Sequence, residues 1–433
     1  MFPYCGQWHK LLQVETVDGE STTVTARHWL VLAVATFVAA SGSAFVIGVG
    51  FLLPHLTSVM GLSLSQGGIL VAMPLVGMAA ALIAWGWLVD RAGEKVVLVA
   101  GSVGAAVTLT AALFVDSFVL LAVLLLVTGA FTASGNSASG RLVVSWFPAH
   151  RRGLAMGVRQ MSQPAGSAVA AMTMPLLAQS YGLGAAFALP LAMAAVSAVA
   201  ALVVVTDPPP PEATRDAGAE AVSGAATAAD GEAVSGAATE GSPYRGSGYL
   251  YRVHGVSVLL VVPQGMLQAF LLTWLVLGHG WSAMSAGVVV TVSQVLGAVA
   301  RIVAGAVSDR VGSRTTPIRG VAISVTAGLA ALAAAEALGA PGVIAVTLGV
   351  IATVLSVSDN GLAFTAVAEF AGPRWSGRAL GVQNTTQFVA ISASTPLVAA
   401  VIDAVGYWPV FAGAAVIAAL AIPLVPVADQ RRA

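Results

Sequence analysis

The chain has 433 residues, 58% of them hydrophobic and 9% charged, whereas soluble domains run at roughly 45 to 50% apolar and about 25% charged. That composition excludes a water-soluble globule, and a formal net charge of +0 gives no basic field with which to attract nucleic acid. One cysteine, Cys5, leaves no internal disulfide and no thiolate metal site. No metal or other cofactor is expected.

In chain order, a polar leader of residues 1–27 comes first; it is too long and wrongly flanked for a cleaved signal peptide. Apolar segments long enough to cross a bilayer then recur, broken by Gly, Pro and charged residues. They lie near 28–52, 66–89, 95–116, 118–146, 152–178 and 183–205, and again near 254–278, 284–307, 318–338, 342–370, 376–402 and 406–428. The sequence therefore predicts an all-α membrane protein of 12 transmembrane helices, six in 28–205 and six in 253–428. Between them, residues 206–252 are rich in Ala, Gly, Ser, Pro and acids and carry "EAVSGAAT" twice. Such a segment buries too little apolar surface to offset its ordering entropy and reads as a disordered linker. Residues 429–433 form a short tail.

Short cytoplasmic loops are enriched in Lys and Arg. Of the 19 basic residues, Arg141, Arg159 and Arg301 fall within spans, and all the others fall on one side of the predicted topology. Both termini and the linker are thus expected in the cytoplasm, with the spans in the plasma membrane.

The halves repeat. "GWLVDRAGEK" from Gly86 and "GAVSDRVGSR" from Gly305 share G-x-x-x-D-R-x-G at an offset of 219, and "RGLAMGVRQMSQ" from Arg152 matches "SGRALGVQNTTQ" from Ser376 at 224. The second shift also places Gly135 and Asn136 on Asp359 and Asn360. An even number of spans per half makes the repeat parallel.

With Gly86, Asp90, Arg91 and Gly93 repeated as Gly305, Asp309, Arg310 and Gly312, the chain resembles the major facilitator superfamily, whose signature lies in the loop between spans two and three. The resemblance covers 28–428 apart from the linker. It implies two pseudo-symmetric six-helix bundles around a cavity open alternately to each side, and secondary active transport of a small solute. It also implies a latch. Asp90 is expected to face the start of span eleven, near Gly377 and Arg378, and Asp309 the start of span five, near Gly153, each carboxylate meeting a positively polarised helix end. A tight turn with topogenic charges is the alternative.

Charges inside spans are costly and mark function by default. Arg159 lies about 10 Å of helix rise beyond Arg152 and, with Gln163 four residues on, forms a stripe suited to an anionic or hydrogen-bonding solute; an arginine pairing with a carbonyl or reaching back to the cytoplasmic interface is the alternative. Asp359, about 16 Å from the basic end of span ten, is the proton-coupling candidate, since burial favours the neutral form of a carboxyl group; a structural hydrogen bond is its alternative. Arg301 sits at the cytoplasmic end of span eight, where monocarboxylate carriers of the superfamily resemble it, and reads as substrate ligand, gate or anchor. Arg141 reads as an interfacial anchor. Asn136, Asn360, Gln383 and Gln387 complete the candidate substrate lining, a hydrogen-bonded cavity rather than an aromatic cage for cations.

The expected function is secondary active transport of a small polar or anionic organic solute, coupled to protons, by a monomer in the lipid bilayer. A passive uniporter and an efflux carrier for amphipathic compounds remain open, and a sensor lacks a signalling domain. The arginine that many proton-coupled members carry in span four is replaced by Leu125, the acid four residues before Arg301 by Gly297, and the span-five antiport signature is half matched at Gln163 to Gly166. No catalytic or P-loop motif is present, so enzymatic activity is not expected.

Overall fold

The computed structural model describes residues 24–115, 117–147, 149–206, 242–245, 247–372 and 375–430, and among them there are helices and no strands. Most of the leader and the linker lies outside these residues, but Tyr249 to Arg252, read as the end of the disordered linker, begin a helix with Tyr249 and Leu250 buried.

The first half contains α1 (Ala26–Gly48), α2 (Leu53–Ser58), α3 (Leu64–Ala112), α4 (Phe118–Trp146), α5 (Ala149–Gln160), α6 (Ser162–Tyr181) and α7 (Leu183–Val204). The second contains α8 (Tyr249–Thr273), α9 (Ala283–Val311), α10 (Thr315–Ala337), α11 (Gly342–Ser356), α12 (Asn360–Ala371), α13 (Ser376–Val405) and α14 (Tyr407–Ala421). Together these make 12 crossings. Eleven are long and apolar enough to pass a membrane as they stand. The remaining one, α5 with α6, is interrupted at Met161, whose N–H bonds Val158 three residues back. Spans two and three share α3, which turns at Gly93, with φ 82° and ψ 169°. That region is open essentially only to glycine, which accounts for the glycine in the first loop signature. Gly312 ends α9 in the left-handed conformation, φ 68°, and does the same for the second. Gly86 and Gly305 face open space, so packing does not explain them.

The membrane-facing shell is apolar: Ile83, Val107, Val199, Val203, Ile302 and Leu397 are exposed, which suits lipid. Inside, small residues let backbones meet. A Cβ on Gly77 would overlap the Leu126 carbonyl, and one on Gly129 would overlap Pro74, so α3 and α4 cross in direct backbone contact.

The halves meet along two seams, α3 against α13 and α6 against α9. Three sets of hydrogen bonds cross them among the described residues: Leu64 and Ser65 N–H to Asp403, Thr291 to the Ala168 carbonyl at 3.2 Å, and Arg301 to Gln163 at 3.3 Å. The last is the nearest to the face that carries the basic loops. Among the described residues the cross-seam bonds thus lie away from the basic loops, where the side chains of Asp90, 152–154 and 376–377 are not among those described.

Candidate functional site

Arg159 is the penultimate residue of α5, two before Met161, and turns toward α4 in its own half. Its Nε donates to Ser139 Oγ at 3.0 Å, one terminal nitrogen donates to Gln160 Oε1 at 2.8 Å, and the other approaches the Asn136 carbonyl and Oδ1 at 3.3 and 3.4 Å. Asn136 Nδ2 in turn reaches Met78 Sδ at 3.2 Å. The side chain is half-buried, and no carboxylate pairs with it among the described residues. An anchor reaching back to the interface would need no such set of neutral acceptors inside the bundle.

Gln163 leaves this group. From the first turn of α6 it accepts from Arg301 across the seam, while Arg159 bonds within its own half. Arg301 is also deeper than a cytoplasmic-end residue, ten positions before the end of α9, or about 15 Å by helix rise. Its Nε donates at 3.1 Å to the Val357 carbonyl, which lies where span ten is broken between α11 and α12. Asp359 occupies the same break, with 2% exposure and no side-chain cap bond. Arg301 is the charge whose field reaches it. A broken crossing thus brings a carboxyl group, a guanidinium and an amide from the other half into one neighbourhood.

The amides of the second half divide into two kinds. Asn360 donates to Gln264 Oε1 of α8 at 3.1 Å. Gln383 is fully buried and is occupied by His254 and Ser257 of α8, with Tyr244 bonded to the far ring nitrogen of His254 at 3.0 Å. This saturated chain joins α8 to α13, which makes Gln383 a poor lining group. Gln387, one turn on, is buried and its Nε2 has no hydrogen-bond partner among the described residues. Sequence reading missed His254, Gln264, Ser139 and Ser257. The only signal for them was a polar residue in an apolar run.

The sequence profile of the Major Facilitator Superfamily matches residues 32–395. The chain belongs to this superfamily. An uncharacterised MFS-type transporter of Mycobacterium tuberculosis is 41% identical over 408 residues, covering 94% of this chain and 86% of its own length. Among solved structures, a D-xylose–proton symporter aligns with a TM-score of 0.72 at 16% identity, covering 92% of this chain and 98% of its own. A bacterial homologue of the human lysosomal transporter Spinster, inward-facing and unoccupied, has a TM-score of 0.72 at 14% identity, covering 93% and 97%. These structural likenesses establish the fold.

Within a multi-pass transporter of this superfamily, the described side chains of the two signature loops make contacts inside their own halves. In the first, Arg91 lies over the Trp87 ring at 3.8 Å; the side chains of Asp90 and Gly377, on which the expected latch depends, lie outside the described residues, and Arg378 stacks on Trp375. In the second, Asp309 meets Arg314 at 2.6 Å, and Arg314 also binds Glu369 at 3.0 Å. The hydrogen bonds to Glu369 and then Asp309 push the Arg314 guanidinium above its ordinary value. Asp309 is thus engaged inside its own half; Gly153, its expected partner, has no described side chain. Arg141, read as an interfacial anchor, pairs with buried Glu94 at 3.1 Å, a link from α4 to α3.

Proposed function

We propose that this transporter moves a small polar or anionic organic solute across the plasma membrane by alternating access, acting as a monomer with both termini in the cytoplasm, and that Asp359 couples the movement to protons. The observation that carries the reading is Arg159. Its guanidinium is held by neutral acceptors with no carboxylate partner among the described residues, and a cation without a counter-ion within a span is costly. A bound carboxylate or phosphate would supply that counter-ion through the planar fork.

The one-sided basic residues support the cytoplasmic placement of the termini and the linker. Asn136, Gln163, Asn360 and Gln387 would complete the solute contacts, with Arg301 aligning the two halves over the broken span. The paired signatures Gly86, Asp90, Arg91, Gly93 and Gly305, Asp309, Arg310, Gly312 would govern closure at the cytoplasmic face. The test is a thermal-shift screen of purified protein against organic and inorganic anions, since a ligand of the folded state raises its melting temperature. Anions that stabilise the wild type but not Arg159→Gln support the reading; stabilisation only by neutral or cationic compounds overturns it.

A further inference from the structure

We propose that Asp403 is a latch that holds the two halves together at the face opposite the basic loops, and that its release is a required step of the transport cycle. The inference rests on the alternating-access reading, but not on the identity of the solute or on protons.

The geometry is that of a helix cap supplied by the other half. An α-helix begins with backbone N–H groups that have no partner within it. In α3, Gln66 N–H is met by Ser63 Oγ at 3.1 Å and Ser63 N–H by Gln66 Oε1 at 3.0 Å. The remaining two are met from α13: Leu64 N–H by Asp403 Oδ1 at 3.2 Å and Ser65 N–H by Oδ2 at 2.7 Å. A carboxylate on two amides at the positive end of a helix dipole is the favoured charge arrangement. One turn before Asp403, Gly68 of α3 leaves no room for a Cβ against Ala399 and Pro396. Cap and close packing therefore act on the same stretch of seam, and neither survives if the halves part there.

The internal repeat shows that this device is one-sided. The offset of 224 puts Gln179 at the position equivalent to Asp403, and the offset of 219 puts Ala283 and Met284 at those of Leu64 and Ser65. The second seam has no carboxylate there; it is joined by the Thr291 hydroxyl on Ala168, and α9 takes its own Ser282 as cap to the Ser285 N–H. One seam is charged and the other neutral. Opening lets water replace the protein partners of Asp403 and the two amides, so the latch biases the equilibrium between states rather than forbidding one.

Spin labels at Val59→Cys and Leu338→Cys, both exposed on that face and in different halves, report the opening as a distance distribution in a Cys5→Ser background without solute. Asp403→Asn is expected to raise the ratio of long to short distances by about 2- to 5-fold, the range of charge and helix-end interactions at an exposed site. Ser65→Pro removes one donor at a first-turn position that tolerates proline and is expected to shift the ratio the same way. The double variant should fall short of the product of the single effects, because both break one contact. Gln179→Ala should leave the ratio unchanged. Fully multiplicative effects, or an unchanged ratio in Asp403→Asn at wild-type melting temperature, would overturn the latch, as would a single distance in every folded variant. Solute flux stands or falls separately, since the distances are read without solute.

Discussion

At Arg159 the distinction between a ligand and an anchor is a matter of donor geometry. Lysine keeps the charge but loses the planar fork, so Arg159→Lys is expected to weaken anion binding by about 1 to 3 kcal/mol, the worth of a hydrogen bond to a charged group, and Arg159→Gln to weaken it further. Calorimetric titration of the stabilising anion checks this; equal affinity in both variants with only the melting temperature lowered would move Arg159 into the scaffold. Such charges were legible in the sequence because an ion within an apolar run is too costly to be incidental. Their partners were not. Arg159 turns to Ser139 because α4 packs beside α5, and Gln383 is spent on His254 and Ser257 because of where α8 crosses α13. Neither follows from spacing along one helix.

Among the elements, the crossings could be read from length and hydropathy, and the loop glycines from the turns they permit. Gly93→Ala is expected to cost on the order of 1 to 3 kcal/mol, since alanine is strained at φ 82° and ψ 169°; thermal unfolding in detergent measures it, and an unchanged melting temperature would show that the turn relaxes. The break of span ten at Val357 to Asp359 coincides with the polar Ser356, Ser358, Asp359 and Asn360, through which the apolar pattern on either side reads as one continuous span. Near the chain end, Asp429 caps α10 through the N–H groups of Arg314 and Thr315, both at 2.9 Å. Partial burial opposes the charge, but bonds from Ser313, Arg314 and Thr315 outweigh it and hold this carboxyl below its ordinary range. A folded-state value below the unfolded one, about 3.9, contributes stability that is complete above that pH and lost as pH falls through the lower folded value. The melting temperature of Asp429→Ala should therefore lie below wild type at pH 7, with the gap closing below about pH 4. A gap that stays constant down to pH 3 would assign the effect to packing.

For the whole molecule, the repeat foretold two like halves, yet the charges that join or separate them are not duplicated: Asp403 faces Gln179 in the symmetry, and Asp359 faces Gly135. Orientation follows from the basic loops, so Ser235→Cys, placed in a Cys5→Ser background, should react with an impermeant maleimide only in permeabilised cells; labelling in intact cells would reverse the topology. The central claim, coupled transport of an anion through Arg159 and Asp359, is tested most directly by uptake of the anion found in the thermal-shift screen into proteoliposomes under an imposed pH gradient. Wild type should accumulate it above its equilibrium level. Asp359→Asn should exchange it across the membrane without accumulation, because the site is fixed in its neutral charge state, and Arg159→Gln should do neither. Undiminished accumulation by Asp359→Asn, or no flux through wild type, would contradict the account.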